Sequence, residues 1–206
     1  MRKIADSTVR RLSLYLRLLE EFAHEGVETV SSQALARRGG TTAPQVRKDL
    51  SFFGSFGMRG MGYRVPELVS RLRDILGLER EYVVVIVGAG KVGSALAQFR
   101  EFASRGFNIS AAYDHDPAKI GREWEGIAIR DVARLDRDLA ARPADIAIVA
   151  VPAEGAQPVT DRLVAAGVRA ILNFATVPLA VPADVTVKHV NMVLELETLS
   201  YALRHR

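Results

Sequence analysis

Hydrophobic side chains recur every three to four positions through the first eighty residues, which is the spacing of amphipathic helices. Ser7 or Thr8 is placed to cap a first helix, and Gly26 to end it. Thr42 and Gln45 form a capping box that predicts the start of a third helix. The predicted helices lie at residues 9–23, 33–38, 43–53 and 66–76. Short helices joined by a tight glycine turn are typical of a helix-turn-helix.

The third predicted helix has an apolar face and a polar face. At 100° per residue, Val46, Leu50 and Phe53 fall on one side, whereas basic and polar side chains occupy the opposite and flanking positions. Such a helix suits the major groove of DNA, because Arg and Lys address guanine edges or phosphates and Gln addresses adenine. The predicted DNA contacts on this helix are Gln45, Arg47, Lys48, Ser51 and Phe52.

A glycine-rich stretch, residues 54–63, separates the third predicted helix from the fourth. Its glycines favour the positive-φ turns of a hairpin, so the stretch predicts the wing of a winged helix-turn-helix domain. Arg59, near the tip, and Gly60 are predicted to reach the phosphates or the minor groove. A flexible loop is the alternative.

From residue 81 onward the pattern changes to short, almost wholly apolar runs that alternate with helical stretches. The runs lie at residues 82–87, 108–113, 145–151, 169–173 and 185–190, and the helical stretches around 93–104, 131–142 and 157–166. This alternation predicts an α/β fold with a doubly wound parallel sheet, the Rossmann arrangement. Runs that are apolar throughout indicate strands covered on both faces.

A Gly-x-Gly-x-x-Gly sequence follows the first apolar run and opens a helical stretch, which is the context of a dinucleotide-binding loop. The first glycine makes the turn, the second lets a pyrophosphate approach the backbone, and the third lets the helix pack on the strand. The phosphates would then lie at the start of that helix. The predicted loop residues are Gly88, Ala89, Gly90, Lys91, Val92 and Gly93.

Further dinucleotide contacts are predicted at the ends of the later runs. Asp114 ends the second run, where an acidic side chain can bind the ribose hydroxyls of NAD and repels the 2′-phosphate of NADP. A surface aspartate in a turn is the alternative, and His115 follows at the adenine end. The residues predicted to approach the nicotinamide half are Val151, Pro152, Asn173, Phe174 and Ala175.

Composition narrows the class of protein. The chain has 206 residues, of which 49% are hydrophobic and 25% charged, as in an ordinary globular protein, and its apolar runs are far shorter than a membrane span. We expect no secretory signal, because residues 1–5 lead straight into an amphipathic charged segment. The absence of cysteine excludes disulfides, thiolate catalysis and structural zinc and fits a reducing compartment. We therefore expect a cytoplasmic protein that binds neither membrane nor metal.

The net charge of +4 is unevenly distributed. Residues 1–80 hold 14 Lys and Arg against 9 Asp and Glu, a net +5, whereas the rest of the chain carries −1. Residues 37–73 alone hold eight basic side chains against two acidic ones. Clustered basic side chains predict a polyanion partner, double-stranded DNA, with a solvated basic surface as the alternative.

Groups that could assist hydride transfer are scarce. Among the four histidines only His189 is placed to lie near a nicotinamide, and at the end of an apolar strand a histidine is more often structural. We therefore interpret the dinucleotide as a sensed ligand and predict that the protein is no enzyme. The alternatives are an NAD-dependent dehydrogenase with an appended regulatory domain and a CoA- or nucleotide-binding interaction module.

The closing segment, residues 190–203, is apolar at nine of its positions. A helix with one buried face does not need so much apolar circumference, so the segment is predicted to pack on two bodies. A second copy of the chain is the expected second body, because helix-turn-helix proteins bind two-fold related half-sites as dimers.

Several of these motifs together resemble the Rex family of redox-sensing transcriptional repressors. They are residues 45–54 (QVRKDLSFFG), 59–63 (RGMGY), 88–93, 173–175 and the closing helix. The resemblance implies a winged-helix DNA-binding domain at 1–80, a Rossmann NAD(H)-binding domain at 81–188 and a dimerisation helix at 189–206, swapped between the subunits of a homodimer. It also implies that the protein binds operator DNA, and that the DNA is released when NADH, in competition with NAD⁺, occupies the Rossmann domain.

On this resemblance we expect an apolar pocket, completed by Met192 of the partner subunit, to prefer neutral NADH over cationic NAD⁺. Three positions depart from the family pattern, and the least of these departures is Thr176, where family members often carry proline. Phe99 and Asn191 stand where the family carries a tyrosine and an aspartate that form a redox-dependent polar link. This chain therefore lacks both groups of that contact.

Overall fold

The computed structural model describes residues 4–54, 56–57 and 61–205, and the chain divides into two compact units, Met1–Arg80 and Glu81–Arg206. Arg59 and Gly60, predicted to contact DNA, lie outside the described residues. Each unit has its own buried hydrophobic core. Among the described residues, no helix is both long enough and apolar enough to cross a lipid bilayer.

In its described residues, the first unit combines four helices with a two-stranded sheet. Its elements are α1 (Asp6–His24), β1 (Thr29–Val30), α2 (Ser32–Arg38), α3 (Ala43–Ser51), β2 (Tyr63–Arg64) and α4 (Val65–Ile75). Every helix buries its apolar face in one core, where Leu12, Leu35, Leu50 and Leu72 are inaccessible to solvent. β1 pairs antiparallel with β2. This is the arrangement of a winged helix-turn-helix, as predicted.

The start of α1 differs from the prediction. The helix begins at Asp6 with Ala5 as its N-cap residue, so the predicted caps at Ser7 and Thr8 are wrong. Thr8 lies inside the helix, where its hydroxyl accepts a hydrogen bond from the Arg11 guanidinium. Asp6 instead places a negative charge in the first turn, which stabilises the positive end of the helix dipole.

The second unit is a seven-stranded sheet with helices. Its elements are β3 (Tyr82–Val87), α5 (Lys91–Ala97), α6 (Glu101–Ser104), β4 (Phe107–Asp114), β5 (Glu123–Trp124), β6 (Ile127–Asp131), a 3-10 turn (Val132–Arg134), α7 (Leu135–Ala141), β7 (Ile146–Val149), α8 (Ala153–Ala165), β8 (Ala170–Asn173), β9 (Thr186–His189) and α9 (Met192–Arg204). The strand order is β5-β6-β4-β3-β7-β8-β9, and only the β5–β6 pair is antiparallel.

The six parallel strands, numbered along the chain, lie in the order 3-2-1-4-5-6, which is the doubly wound Rossmann order. The predicted fold class is confirmed. The order reverses between β3 and β7, and sheets of this kind bind ligands in the crevice outside the carboxyl ends of the strands at that point.

Two local predictions in this unit are wrong. The sequence pattern misses β5 and β6 and starts a helix at Asp131, but Asp131 ends β6 and its side chain accepts a hydrogen bond from the Ala133 N–H, so helical structure starts only afterwards. Pairing with β4, which is distant in sequence, determines β6. The predicted helix at 93–104 is broken into α5 and α6, so that Phe102 packs on the core while Phe99 is exposed.

Candidate functional site

The glycine-rich loop joins β3 to α5 at the point where the strand order reverses. Gly88 has a φ of +109°, and a Cβ atom there would collide with the carbonyl oxygen of Ala150, just beyond β7. A Cβ atom on Gly93 would collide with the carbonyl oxygen of Gly88. A Cβ atom on Gly90 would have no described neighbour within 4 Å. Close backbone packing therefore requires glycine at the first and third positions of the loop. The second glycine leaves space that a ligand can occupy.

The remaining loop residues divide into one inward and two outward positions. Ala89 is buried, whereas Lys91 and Val92 are exposed beside Gly90. An open stretch of backbone next to a lysine side chain fits a pyrophosphate, because the backbone can approach the phosphates closely and the ammonium adds a positive charge.

Asp114 ends β4 and its carboxylate is buried against the glycine loop. Oδ2 accepts hydrogen bonds from the Ala89 N–H at 2.7 Å and from Lys119 Nζ at 3.0 Å, and Oδ1 accepts one from the Asp116 N–H at 2.9 Å. Burial alone would raise the pKa of Asp114, but these three hydrogen bonds hold it below its ordinary value. His115 is exposed, with Nδ1 3.5 Å from Oδ1. The ionised carboxylate therefore braces the loop and keeps acceptor capacity on Oδ1 for a ribose hydroxyl.

The residues predicted to approach the nicotinamide lie at the carboxyl ends of β7 and β8. The Phe174 N–H donates a hydrogen bond to the carbonyl oxygen of Val149 at 2.8 Å, which holds the two strand ends side by side. Val151 and Phe174 are half-buried, Ala175 is buried, and Pro152 is the exposed N-cap residue of α8. Because the glycine loop packs against the end of β7, these residues and the loop lie along the same edge of the sheet, at the carboxyl ends of its strands.

Asn173 connects this edge to the last strand of the sheet. Its amide oxygen accepts a hydrogen bond from the Ala175 N–H at 2.9 Å, and its Nδ2 donates to the Val177 carbonyl at 2.9 Å and to His189 Nδ1 at 3.1 Å. The two backbone bonds fix the orientation of the buried amide, so His189 Nδ1 accepts and the ring proton lies on Nε2. His189 is thus engaged in structure, and Asn191, two residues later, caps α9.

Helix α9 buries none of its residues within this unit. Its large apolar side chains are all more than half exposed; they are Met192, Val193, Leu194, Leu196, Leu199, Tyr201 and Leu203. Met192, predicted to contact the nicotinamide in a partner subunit, is 67% exposed. A single chain therefore leaves the apolar surface of this helix uncovered.

The predicted recognition helix α3 is fixed at its start by a side-chain cap. Thr42 Oγ1 accepts a hydrogen bond from the Gln45 N–H at 3.3 Å, which is the Thr42 half of the predicted capping box, whereas the Gln45 side chain donates to Asp49 Oδ1. Arg47 Nη1 donates to Ser32 Oγ at 2.9 Å and so joins α3 to α2. The exposed members of the predicted DNA-contacting set are Arg47, Lys48, Ser51 and Phe52. The helix thus turns two basic side chains to solvent while its apolar face is buried.

A buried carboxylate that the sequence prediction did not single out lies on the inner face of α3 itself. Asp49 accepts two hydrogen bonds from the Arg11 guanidinium, at 2.6 and 2.8 Å, and has no exposed surface. The Tyr15 hydroxyl donates a third at 3.0 Å, and Gln45 Nε2 a fourth at 2.8 Å. Burial would raise the pKa of Asp49, but these hydrogen bonds hold it below its ordinary value. Burial, with the bond to Asp49, raises the pKa of Tyr15 to about 12.

The two units together define a class of protein. Within the part of the chain that the structure describes, no three His, Asp or Glu side chains come together as a metal site needs. A winged-helix unit with a basic third helix, followed by a Rossmann unit with an open glycine loop, is the construction of a DNA-binding regulator that responds to a nucleotide.

Comparisons with known proteins show the family. Residues 79–177 match the family described as "CoA binding domain", and residues 3–51 the family described as "Putative DNA-binding protein N-terminus". The chain is 47% identical over 201 residues to the redox-sensing transcriptional repressor Rex of Syntrophomonas wolfei subsp. wolfei, an alignment that covers 98% of this chain and 96% of that protein. The chain belongs to the Rex family of redox-sensing transcriptional repressors.

Crystal structures of RSP, a Rex-family repressor, are also similar over the whole of this chain. RSP in complex with β-NAD⁺ and operator DNA matches with a TM-score of 0.94 and 38% identity, covering 100% of this chain and 94% of that one. RSP in complex with β-NADH matches with a TM-score of 0.90 and 37% identity, covering 100% and 96%. The family resemblance found in the sequence is confirmed.

Proposed function

We propose that this chain acts in the cytoplasm as a homodimeric repressor, binds operator DNA through its winged-helix unit, and releases it when NADH binds the Rossmann unit. The observation that carries the proposal is the open space at Gly90, in a loop whose other two glycines are required by packing. The relative RSP, similar over the full length of this chain, has been crystallised with NAD⁺ and operator DNA and with NADH.

The crevice of the Rossmann unit supplies the proposed dinucleotide contacts. The glycine loop would hold the pyrophosphate and Asp114 a ribose hydroxyl, while the ends of β7 and β8 would flank the nicotinamide. The proposed residues are Gly88, Ala89, Gly90, Lys91, Val92, Gly93, Asp114, His115, Val151, Pro152, Asn173, Phe174 and Ala175, with Met192 of the partner subunit. The nicotinamide of the bound dinucleotide is oxidised in NAD⁺ and reduced in NADH, and the protein would respond to that difference.

Discrimination between the two redox states needs a difference in binding free energy, because two ligands of equal affinity cannot report a ratio. Val151 and Ala175 pack against one hydrophobic core of the unit and Phe174 against another, and all three would present apolar surface to the nicotinamide. Transfer of a cationic ring from water to such a surface is less favourable than transfer of a neutral one. This favours NADH over NAD⁺ in the crevice.

Two observations support a regulator rather than a dehydrogenase. His189, the histidine that the sequence placed near the nicotinamide, accepts a hydrogen bond from Asn173 Nδ2 at its Nδ1 within the sheet. The relatives that match along the whole chain are named as repressors. We propose that the protein binds the dinucleotide as a signal and releases it chemically unchanged.

Four of the proposed DNA contacts lie on α3, and Phe52 is its C-cap residue. Residues 189–206 are the proposed dimerisation helix. Arg47 and Lys48 would contact phosphates or guanine edges, Gln45, Ser51 and Phe52 would lie at the groove, and Arg59 and Gly60 stay predictions from the sequence. In a dimer the two α3 helices would occupy half-sites about 34 Å apart, and a shift of the Rossmann units on NADH binding would change that spacing.

One titration tests the proposal. A palindromic operator duplex is mixed with the full chain and resolved by gel shift, and NAD⁺, NADH and CoA are added in turn. We expect NADH to release the DNA at concentrations where NAD⁺ and CoA do not. Steady oxidation or reduction of the nicotinamide with small alcohols or hydroxy acids would instead favour the dehydrogenase, and absence of sequence-selective DNA retention would favour a nucleotide-binding interaction module.

Variants assign the DNA contacts. Arg47→Ala and Lys48→Ala should weaken operator binding while NADH binding persists. Arg142→Ala removes the same charge from an exposed position of the second unit and should leave operator binding unchanged. Loss of DNA and NADH binding together in the α3 variants would indicate misfolding and contradict the assignment.

A further inference from the structure

Gln45 and Asp49 form a hydrogen-bonded pair one helical turn apart on α3. Gln45 Nε2 lies 2.8 Å from Asp49 Oδ1. Asp49 is an ionised carboxylate paired with the Arg11 guanidinium, so it only accepts hydrogen bonds. The Gln45 amide must therefore turn its nitrogen towards Asp49, and a charge rather than solvent sets the orientation of that amide.

Hydrogen bonds also fix the orientation of the Asp49 carboxylate. Oδ2 accepts from Arg11 Nε and from the Tyr15 hydroxyl, and Oδ1 accepts from Arg11 Nη2 and from Gln45 Nε2. Two hydrogen bonds on each oxygen fill the acceptor sites of a carboxylate. Arg11 and Tyr15 belong to α1, so the Gln45 side chain is anchored to a second helix through Asp49.

The anchored amide keeps one N–H and its Oε1 for another partner. An amide with one donor and one acceptor side by side matches adenine in the major groove, where N7 accepts and N6 donates. Gln45 lies in the first turn of α3, and the first residues of a recognition helix are those that contact base edges. Its side chain is half-buried and so remains accessible.

We propose that Asp49 is a positioning residue for sequence reading, which holds the Gln45 amide in the orientation that reads an adenine edge of the operator. The inference rests on the proposed function, since it requires that α3 enter the major groove. It assigns the adenine preference to the Asp49–Gln45 pair, separately from the phosphate or guanine contacts proposed for Arg47 and Lys48.

The test measures base preference rather than affinity alone. The full chain and its variants select from a duplex library with randomised palindromic half-sites, and the bound fraction is sequenced. We expect the wild type to select adenine at one position of each half-site. Gln45→Leu should lower that preference by about 5-fold to 150-fold, the range for loss of one bidentate base contact, with preferences at other positions kept.

Asp49→Asn tests the positioning role. Its amide no longer forces the orientation of Gln45, so the preference at the same position should fall as in Gln45→Leu, while the salt dependence of binding stays as in the wild type. Gln33→Leu makes the same change on exposed α2 and should select the wild-type sequence. Circular dichroism establishes that each variant is folded.

If the Asp49→Asn variant does not fold, the Gln45→Arg variant provides a second test of base reading at this position. An arginine can donate to Asp49 and to guanine O6 and N7, so the selected base should change from adenine to guanine at that one position. An unchanged preference in Gln45→Leu and Gln45→Arg overturns the inference. A wild type that selects no sequence overturns the proposed function instead, so the two failures are distinguishable.

Discussion

Gly90 and Gly93 lie three residues apart in one loop, but a methyl group would meet different surroundings at each. At Gly93 it would collide with the backbone of Gly88, whereas at Gly90 it would enter open space. We expect Gly93→Ala to lower the free energy of unfolding of the second unit by about 1–3 kcal/mol or more. Gly90→Ala should leave it within about 0.5 kcal/mol of the wild type but weaken NADH binding at least about tenfold.

Chemical denaturation and calorimetric titration with NADH separate these effects. Gly155→Ala is the matched control, because a Cβ atom there meets Val151 Cγ2 at an ordinary 3.6 Å, inside helix α8. It should stabilise the helix by about 0.5–1 kcal/mol. Wild-type affinity for NADH in Gly90→Ala would remove the glycine loop from the proposed site.

Tyr15 makes folding stability sensitive to alkaline pH. Burial and the hydrogen bond to Asp49 raise its pKa to about 12, above the ordinary value of 10.0. The folded state therefore retains a proton that the unfolded state loses, so this stabilisation is complete below pH 10 and is lost as pH rises from 10 through 12. A shift of about two units corresponds to about 2–3 kcal/mol.

Urea unfolding at a series of alkaline pH values measures this loss. Tyr15→Phe has no hydroxyl to titrate, so its unfolding free energy should fall less over the same interval. Tyr63 and Tyr113, whose pKa values burial also raises, account for what remains. An equal fall in wild type and Tyr15→Phe would show that Tyr15 does not contribute.

At the scale of elements, the start of α3 depends on one side-chain cap. Thr42 Oγ1 satisfies the Gln45 N–H, which has no partner within the helix. We expect Thr42→Ala to lower the free energy of unfolding of the first unit by about 1 kcal/mol, measured by thermal or urea denaturation. Thr42→Ser keeps the hydroxyl and should behave as the wild type; equal destabilisation by both variants would assign the effect to lost packing of the methyl group.

Elements with strong local signals were predicted well. Strand β3 has the predicted limits, because six consecutive apolar residues followed by a glycine loop leave little choice, and α3 begins where its capping box places it. Strand β6, whose sequence lacks such a local signal, was not predicted. β6 exists because it pairs with β4, and its sequence alone did not distinguish it from the start of a helix.

In the candidate site, too, the features with a local sequence signal were predicted and those that depend on the fold were not. The glycine spacing predicted which backbone positions face open space and which are packed. The role of Asp49 could not be predicted, because its partner Arg11 lies 38 residues earlier and only the fold brings the two together. Lys119, which binds Asp114, carries no local signal that separates it from a surface lysine.

At the scale of the whole molecule, the charge distribution predicts two different responses to salt. The first eighty residues carry a net +5 and the remainder −1. Operator affinity should fall steeply, with a slope of about −0.9 in log K against log salt for each phosphate contact. NADH affinity should change much less. Fluorescence anisotropy and calorimetry over a salt series measure both, and equal slopes would contradict separate DNA and dinucleotide sites.

The exposed apolar surface of α9 predicts a dimer. Leu196 and Leu199 are 65% and 60% exposed, so their replacement by glutamate disturbs no core contact within the chain. We expect analytical ultracentrifugation to show a dimer for the wild type and a monomer for Leu196→Glu/Leu199→Glu, with helical content kept. Glu197→Gln, on the same helix, should stay dimeric. A monomeric wild type at micromolar concentration would contradict the proposed homodimer.

Asn173 gives the proposed dimer a thermodynamic consequence. Its buried amide binds both the loop at Ala175, which we propose lies beside the nicotinamide, and the strand end that leads into α9. The ligand would thus contact the loop on one side of Asn173, and the partner subunit would contact the helix that follows the strand on its other side. Reciprocity then requires that whatever NADH does to subunit association, association does by the same factor to NADH affinity. The redox ratio at which such a sensor responds would depend on how many copies of it a cell contains.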